Sequence, residues 1–146
     1  MTEPTDTKPT LLVVDDEPHI RKLLSSILQK TGNYAVETAA DGEEALKWLK
    51  GREFQCGLVI TDMMMPRMKG DELIEAITRK HPELPVIVLT AHKNDQNVIR
   101  CLQLGSVEYL TKPVRMEALL QTVRRVFDRH SRFEGAGEGF TVRSEV

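Results

Sequence analysis

The sequence has 146 residues, of which 40% are hydrophobic and 29% charged, a balance typical of one globular domain with short extensions. Its formal net charge of −2 gives no global basic field for nucleic acid. No apolar run approaches the roughly 20 residues that span a bilayer, and the N-terminus lacks the pattern of a signal peptide. We therefore expect a cytoplasmic protein that contacts neither nucleic acid nor membrane directly.

The two cysteines and four histidines show no metal-binding or redox pattern. Cys56 and Cys101 form no Cys-x-x-Cys pair, and the histidines are scattered along the chain. We interpret the cysteines as small buried hydrophobic residues and the histidines as surface or helix-end residues.

The N-terminal half is predicted to contain three strands and two helices. Residues 1–9 are polar with two prolines and are expected to form a flexible leader. Short continuous apolar runs are typical of parallel strands covered on both faces, and apolar residues at helical spacing predict amphipathic helices. The predicted elements are a strand at 11–14, a helix from Pro18 to Gly32, a strand at 34–38, a helix from Asp41 to Gly51 and a strand at 58–61.

The C-terminal half continues the same alternation up to residue 130. Its predicted elements are a helix after Gly70, a strand at 86–89, a helix at 95–104 that Gly105 stops, a strand at 107–110 and a helix from Met116 to Phe127. Residues 131–146 contain three glycines and little periodicity, so we expect a flexible tail or the start of a linker. Five strand–helix repeats predict an α/β domain over residues 10–130, with one doubly wound parallel sheet and helices on both faces.

Polar side chains follow four of the five predicted strands. Asp15 and Asp16 follow the first strand, Asp62 the third, Thr90 the fourth and, one residue further on, Lys112 the fifth. In a doubly wound sheet the carboxyl ends of the strands form the ligand crevice, so these residues are expected at one edge.

These residue types favour phosphoryl transfer. Three adjacent carboxylates repel each other, and magnesium, which prefers oxygen ligands, offsets that repulsion. Lys112 adds a positive charge and Thr90 a hydroxyl donor. Phosphoryl transfer depends mainly on positioning and charge neutralisation, and an aspartate can itself accept the phosphoryl group.

Four motifs resemble those of response-regulator receiver domains of two-component signalling. They are residues 13–18, 61–70, 89–91 and 105–113, and the resemblance covers about residues 9–130. It implies a five-stranded flavodoxin-like sheet of order 2-1-3-4-5, which comes from the family and not from the residues.

The resemblance also implies a role for each site residue. Asp62 would be the phosphoacceptor and would share the magnesium with Asp16 as a direct ligand, Asp15 partly through water, and the carbonyl of Met64. Lys112 would bind the phosphoryl group. The protein would be a phosphoacceptor switch that assists its own phosphorylation and dephosphorylation, not an enzyme.

Signalling would proceed through Thr90 and Tyr109. Thr90 would move toward the phosphoryl group and Tyr109 would swing inward, reshaping the face of the fourth helix, fifth strand and fifth helix. Lys112–Pro113 would be a cis peptide. The donor would be a sensor histidine kinase or a histidine phosphotransfer protein. The receiver of the signal would be an unknown downstream protein or an output domain absent from this sequence, and the state a monomer or a phosphorylation-dependent dimer.

Several alternatives accompany this interpretation. Asp15 or Asp16 could cap the first helix, although one cap needs one residue, and Tyr109 could be plain core. An aspartyl-phosphate phosphatase is disfavoured because Met64 cannot transfer a proton, and a flavin module because the first loop is acidic. A receiver-like interaction module that is never phosphorylated stays open, and so do the lifetime of the phosphorylated state and whether the chain is a stand-alone protein.

Overall fold

The structure is a computed structural model that describes residues 8–92, 96–103 and 107–135, with side chains as far as residue 129. Five strands alternate with five helices, as predicted. In chain order they are β1 (Thr10–Val14), α1 (Pro18–Lys30), β2 (Ala35–Ala39), α2 (Gly42–Gly51), β3 (Leu58–Asp62), α3 (Gly70–Lys80), β4 (Val86–Thr90), α4 (Gln96–Leu102), β5 (Val107–Thr111) and α5 (Met116–Gly135).

The strands form one parallel sheet of order β2-β1-β3-β4-β5, which confirms the predicted topology. From β1 the chain passes to β2 on one side and later to β3 on the other. The carboxyl ends of β1 and β3 therefore flank the topological switch point, where ligands bind in open α/β sheets.

Alternate residues of each strand enter separate apolar layers, because successive side chains of a strand point to opposite faces. On one face Val14, Val59 and Val88 belong to a buried cluster that includes residues of α2, α3 and α4. On the other face strand residues such as Val13 and Ile60 are fully buried, and α1 contacts β1 and β2. The sheet is thus covered on both sides, which explains the continuous apolar runs of the strands.

Both cysteines and three of the four histidines occupy ordinary structural positions, while the side chain of His130 lies outside the described residues. Cys101 is buried in the apolar layer formed with α2, α3 and α4, and Cys56 is half-buried against the same layer. The interpretation of the cysteines as buried hydrophobic residues is therefore confirmed for Cys101 and only partly for Cys56. His19 and His92 are exposed and His81 ends α3, as predicted.

The sheet and the first four helices form one compact unit up to Val114, and α5 lies in a second unit from Arg115 onward. Within α5, Leu119, Val123 and Val126 recur at helical spacing and are buried. The helix continues beyond its predicted end at Phe127, through residues 131–135 of the expected tail. These positions precede most of the tail's glycines, so helix propagation meets no break before Gly135.

The remaining boundaries agree with prediction within one or two residues. The second strand starts one residue later than predicted, at Ala35, and ends at Ala39. Residues 1–7 of the expected leader, the ends of the predicted fourth helix with Gly105, and tail residues 136–146 lie outside the described residues. In the described part of the chain, no helix has the length and apolar character needed to cross a membrane.

Candidate functional site

Four strands deliver polar side chains to one edge of the sheet. Asp15 follows β1 directly, Asp62 ends β3, Thr90 ends β4 and Lys112 follows β5 directly. The parallel registers of these strands align their carboxyl ends. The sequence-based expectation of a shared polar edge is therefore confirmed.

Asp15, Asp16 and Asp62 form an acidic cluster at this edge. Each offers a carboxylate oxygen, and the three oxygens lie within 4.8 Å of one another. Asp15 and Asp62 are buried, whereas Asp16 is exposed. Burial raises the pKa of Asp15 above its ordinary value, and the charges of Asp62 and Asp16 raise it further, against the lowering effects of the Glu17 N–H and Lys112.

Lys112 brings positive charge into the cluster. Its Nζ lies 2.9 Å from Oδ1 of Asp62 and 4.0 Å from Oδ2 of Asp15. Partial burial alone would lower the pKa of Lys112, but the hydrogen bond to Asp62 and the surrounding carboxylates raise it above its ordinary value. The lysine is therefore held in its charged form.

One buried carboxylate oxygen of the cluster has no hydrogen-bond partner within the described residues. It is Oδ2 of Asp15, which is buried and has Lys112 only at ion-pair distance. A buried unpaired carboxylate oxygen is costly, and a bound cation removes that cost. Three carboxylates against one lysine leave excess negative charge, and an oxygen-only donor set suits a hard cation. The residues present therefore fit a magnesium ion.

The loop between β1 and α1 is held by hydrogen bonds between side chains and backbone. Oδ1 of Asp15 accepts a hydrogen bond of 2.9 Å from the Glu17 N–H, and a guanidinium nitrogen of Arg21 donates to the Asp15 carbonyl at 2.7 Å. The N-cap residue of α1 is Glu17, so neither aspartate occupies the cap position. The helix-cap alternative for Asp15 and Asp16 is thereby removed.

The loop between β3 and α3 packs closely against Asp62. The Met63 N–H donates to Oδ1 of Asp62 at 2.9 Å, and the Gly70 N–H donates to the Met63 carbonyl at 2.8 Å. A Cβ atom at Gly70 would lie 2.5 Å from the Asp62 carbonyl oxygen, so this position requires glycine. Met63 and Met65 are buried in the core, while Met64 is 60% exposed.

Thr90 and Tyr109 lie on the two strands beyond β3. The Thr90 side chain is buried, and its hydroxyl donates to the His92 carbonyl at 3.3 Å and accepts from the His92 N–H at 3.1 Å. Tyr109 is 37% exposed, so the plain-core alternative was wrong. The Lys112–Pro113 peptide bond is cis, as predicted.

Sequence reasoning missed two residues that shape this edge. Arg21 holds the Asp15 carbonyl, and Gly70 allows α3 to begin against the Asp62 backbone. The signal for Gly70 was its position at the predicted start of a helix after a loop. Nothing local marked Arg21, because one basic residue in an amphipathic helix normally faces solvent.

Comparison with known sequences agrees with this geometry. The family model of the response regulator receiver domain matches residues 11–124. The transcriptional regulatory protein GlrR of Escherichia coli K12 is 41% identical over 113 residues, which are 77% of this chain and 25% of that protein. This chain spans only part of the length of the curated relatives it resembles, from 7% of a hybrid signal transduction histidine kinase of Dictyostelium discoideum to 54% of the response regulator MprA of Mycolicibacterium vanbaalenii.

Comparison with solved structures gives the same answer. A response regulator receiver domain protein from Clostridium thermocellum has 31% identity and a TM-score of 0.79, covering 86% of this chain and 98% of that one. Chemotaxis protein CheY4 of Vibrio cholerae has 35% identity and a TM-score of 0.74, covering 82% and 99%. The chain therefore belongs to the response regulator receiver domain family of two-component systems.

Proposed function

We propose that this receiver domain is a phosphorylation-dependent signalling switch in which Asp62 is the phosphoacceptor. The phosphoryl donor would be a phosphohistidine of a sensor histidine kinase or of a histidine phosphotransfer protein. The observation that carries the proposal is the 2.9 Å contact between Oδ1 of Asp62 and Nζ of Lys112, beside two further aspartates. A nucleophilic carboxylate, a fixed cation and a cation-binding acid pair are the parts that phosphoryl transfer to aspartate needs.

In the proposed reaction a carboxylate oxygen of Asp62 attacks the phosphorus and the P–N bond to histidine breaks. The imidazole leaves with the bonding electron pair and takes up a proton, and the product is an acyl phosphate. The Met63 N–H and Lys112 orient the Asp62 carboxylate, and Lys112 offsets charge on the phosphoryl oxygens. Magnesium, held by Asp15, Asp16, Asp62 and the Met64 carbonyl, would neutralise the negative charge gathered there.

Signal output is proposed to follow from Thr90. Its hydroxyl, now bonded to the His92 backbone, would turn toward the phosphoryl group, and Tyr109 would move inward. Ile99 and Leu102 of α4 are exposed apolar residues, as Tyr109 is on β5. Together with α5, by resemblance to the family, they would form the face that a downstream protein, an output domain or a second receiver binds. The protein would promote phosphorylation and dephosphorylation of its own aspartate and act on no external substrate.

Intact-mass measurement with acetyl phosphate tests the chemistry. We expect one phosphoryl adduct in the presence of magnesium, none after chelation with EDTA, and none for Asp62→Asn. Asp128→Asn, which changes an exposed acid of α5, is the matched control and should be phosphorylated like the unmodified protein. A phosphorylated histidine phosphotransfer protein serves as a second donor. If neither donor gives an adduct, the chain is an interaction module that keeps the acidic pocket without the reaction.

A further inference from the structure

The loop that leaves Asp62 contains a strained turn centred on Arg67. The Met68 N–H donates to the Pro66 carbonyl at 2.7 Å, which closes a three-residue γ-turn, and Arg67 has a φ of 67°. This left-handed form of the γ-turn is rare and strained, and a residue with a Cβ atom adopts it only where its surroundings hold it. Arg67 therefore needs an anchor outside the loop.

The anchor is the N-terminus of α2. Arg67 donates to Oδ2 of Asp41, and its Nε lies 3.6 Å from Oε1 of Glu43. Asp41 is 2% exposed and is fixed as the N-cap of α2 by accepting a 2.9 Å hydrogen bond from the Glu44 N–H, while Arg67 is 61% exposed. The ion pair therefore fixes the exposed, long side chain of Arg67 to a buried carboxylate that is itself held in place, that of Asp41.

A backbone contact supports the same junction. A Cβ atom at Gly42 would lie 2.7 Å from the carbonyl oxygen of Met68, so the first turn of α2 abuts the residue after Arg67. At its other end the loop is closed by the hydrogen bond from the Gly70 N–H to the Met63 carbonyl. Met64 lies between these two fixed points with its side chain in solvent, so the path of its backbone depends on both.

We propose that Arg67 is a positioning residue for the magnesium site, acting through its ion pair with Asp41. The ion pair holds the strained turn and thereby the backbone that presents the Met64 carbonyl to the cation. This inference rests on the proposed function, since it concerns the same site. It assigns a role to the end of β2, the strand that brings no ligand of its own to the acidic edge.

Magnesium titration of the whole chain by calorimetry, without a phosphodonor, tests the inference. Arg67→Asn is the informative variant, because asparagine tolerates the left-handed conformation while the ion pair is lost. Losing one positive charge should by itself tighten the binding of a cation such as magnesium. Loss of positioning should instead weaken it, with an increase in Kd of roughly tenfold, the scale typical of residues that support metal ligands. Arg124→Gln, an exposed arginine of α5, reports the plain charge effect.

Asp41→Asn closes the test, because asparagine keeps the N-cap acceptor and loses only the charge. It should weaken magnesium binding to a similar extent, and the double variant should be no weaker than either single variant within about twofold. Arg67→Lys should recover part of the affinity. With acetyl phosphate, the magnesium concentration for half-maximal rate should rise in Arg67→Asn while the rate at saturating magnesium is kept.

The outcomes separate this inference from the function on which it rests. Unchanged or tighter magnesium binding by Arg67→Asn, with normal binding by the unmodified protein, overturns the positioning role and leaves the phosphoacceptor proposal standing. Additive losses in the double variant also overturn it. Failure of the unmodified protein to bind magnesium overturns both proposals.

Discussion

Two buried aspartates at the same edge of the sheet are in opposite electrostatic situations. Asp15 directly follows β1 and Asp41 lies two residues after the neighbouring β2. Burial raises the pKa of Asp15, and its Oδ2 has no hydrogen-bond partner within the described residues. The pKa of Asp41 is lowered, chiefly by the hydrogen bond from the Glu44 N–H and also by Arg67, although burial opposes this.

This difference separates a structural aspartate from an aspartate of the candidate functional site. Asp41 has its charge satisfied by a helix N-terminus and a guanidinium, which is the arrangement of a structural acid. Asp15 is buried beside two other carboxylates, with one lysine shared among them. Such an unsatisfied acid destabilises the fold by itself and is retained where a ligand completes it.

The largest expected effect concerns the lysine of the unsatisfied cluster. Lys112→Ala removes the cation 2.9 Å from Asp62, so the phosphoryl oxygens lose their fixed positive partner. We expect phosphorylation by acetyl phosphate at saturating magnesium to slow by about 100-fold, the scale found when one donor to a developing charge is removed. Quench-and-mass kinetics measure the rate. Lys80→Ala, an exposed lysine of α3, should react normally, and a loss below threefold in Lys112→Ala would contradict the assigned role.

Removing the charge of Asp15 or of Asp41 should change the free energy of unfolding in opposite directions. Asp15→Asn should raise the free energy of unfolding at pH 7 by about 1 kcal/mol, because a buried unsatisfied charge disappears. Asp41→Asn should lower it by about 1 kcal/mol, because the ion pair with the exposed Arg67 is lost while the cap is kept. Urea unfolding of both variants without magnesium measures the two signs.

The pH dependence of these variants sharpens the same contrast. The folded-state pKa of Asp15 is raised, so its destabilising effect is present above that pKa and fades as the pH falls and the acid is protonated. The folded-state pKa of Asp41 is lowered, so its stabilising effect is present above the unfolded value, about 3.9, and fades as the pH falls through the folded value. Both variants should therefore approach the unmodified protein in acid. If both variants changed the free energy of unfolding at pH 7 in the same direction, the distinction between an unsatisfied Asp15 and a satisfied Asp41 would be contradicted.

The environment of Asp71 is intermediate between those of Asp15 and Asp41, and the loss of its arginine partner should have the smallest of these effects on stability. It is mostly buried at the start of α3, accepts a 2.9 Å hydrogen bond from the Glu72 N–H, and has Arg100 of α4 at 3.9 Å. Arg100 also lies 3.7 Å from Glu75 and is itself exposed. Arg100→Gln should therefore cost only about 0.5 kcal/mol of unfolding free energy, and less at high salt. A cost above 2 kcal/mol would show that this pair is as critical as a buried one.

The fold was predictable because each strand is a short apolar run that ends at polar or turn-forming residues. Five site residues were predicted to share one edge because parallel strands align their carboxyl ends: Asp15, Asp16, Asp62, Thr90 and Lys112. No pairing rule was needed beyond the alternation of strands and helices. The prediction of sheet order, however, depended on the resemblance to a family.

The parts that were not predictable depend on paths and exposures that local sequence does not encode. The pairing of Arg67 with Asp41 requires the γ-turn after Pro66, and no local pattern placed a left-handed arginine there. The exposure of Tyr109 follows from its place on an edge strand, where an aromatic has the same sequence pattern as a buried one. The extent of α5 was missed because the glycines of the tail outweighed the helix-forming residues before them.

The most direct test of the central claim combines mass and hydrogen exchange on one sample. After reaction with acetyl phosphate and magnesium, the account predicts one adduct on Asp62 and changed deuterium uptake in peptides covering α4 (Gln96–Leu102) and β5 (Val107–Thr111). Uptake in the C-terminal part of α2 should stay constant, and Asp62→Asn should show neither change. An adduct on Asp62 with unchanged uptake in α4 and β5 would contradict the claim that chemistry at the acidic cluster switches the exposed edge of the sheet.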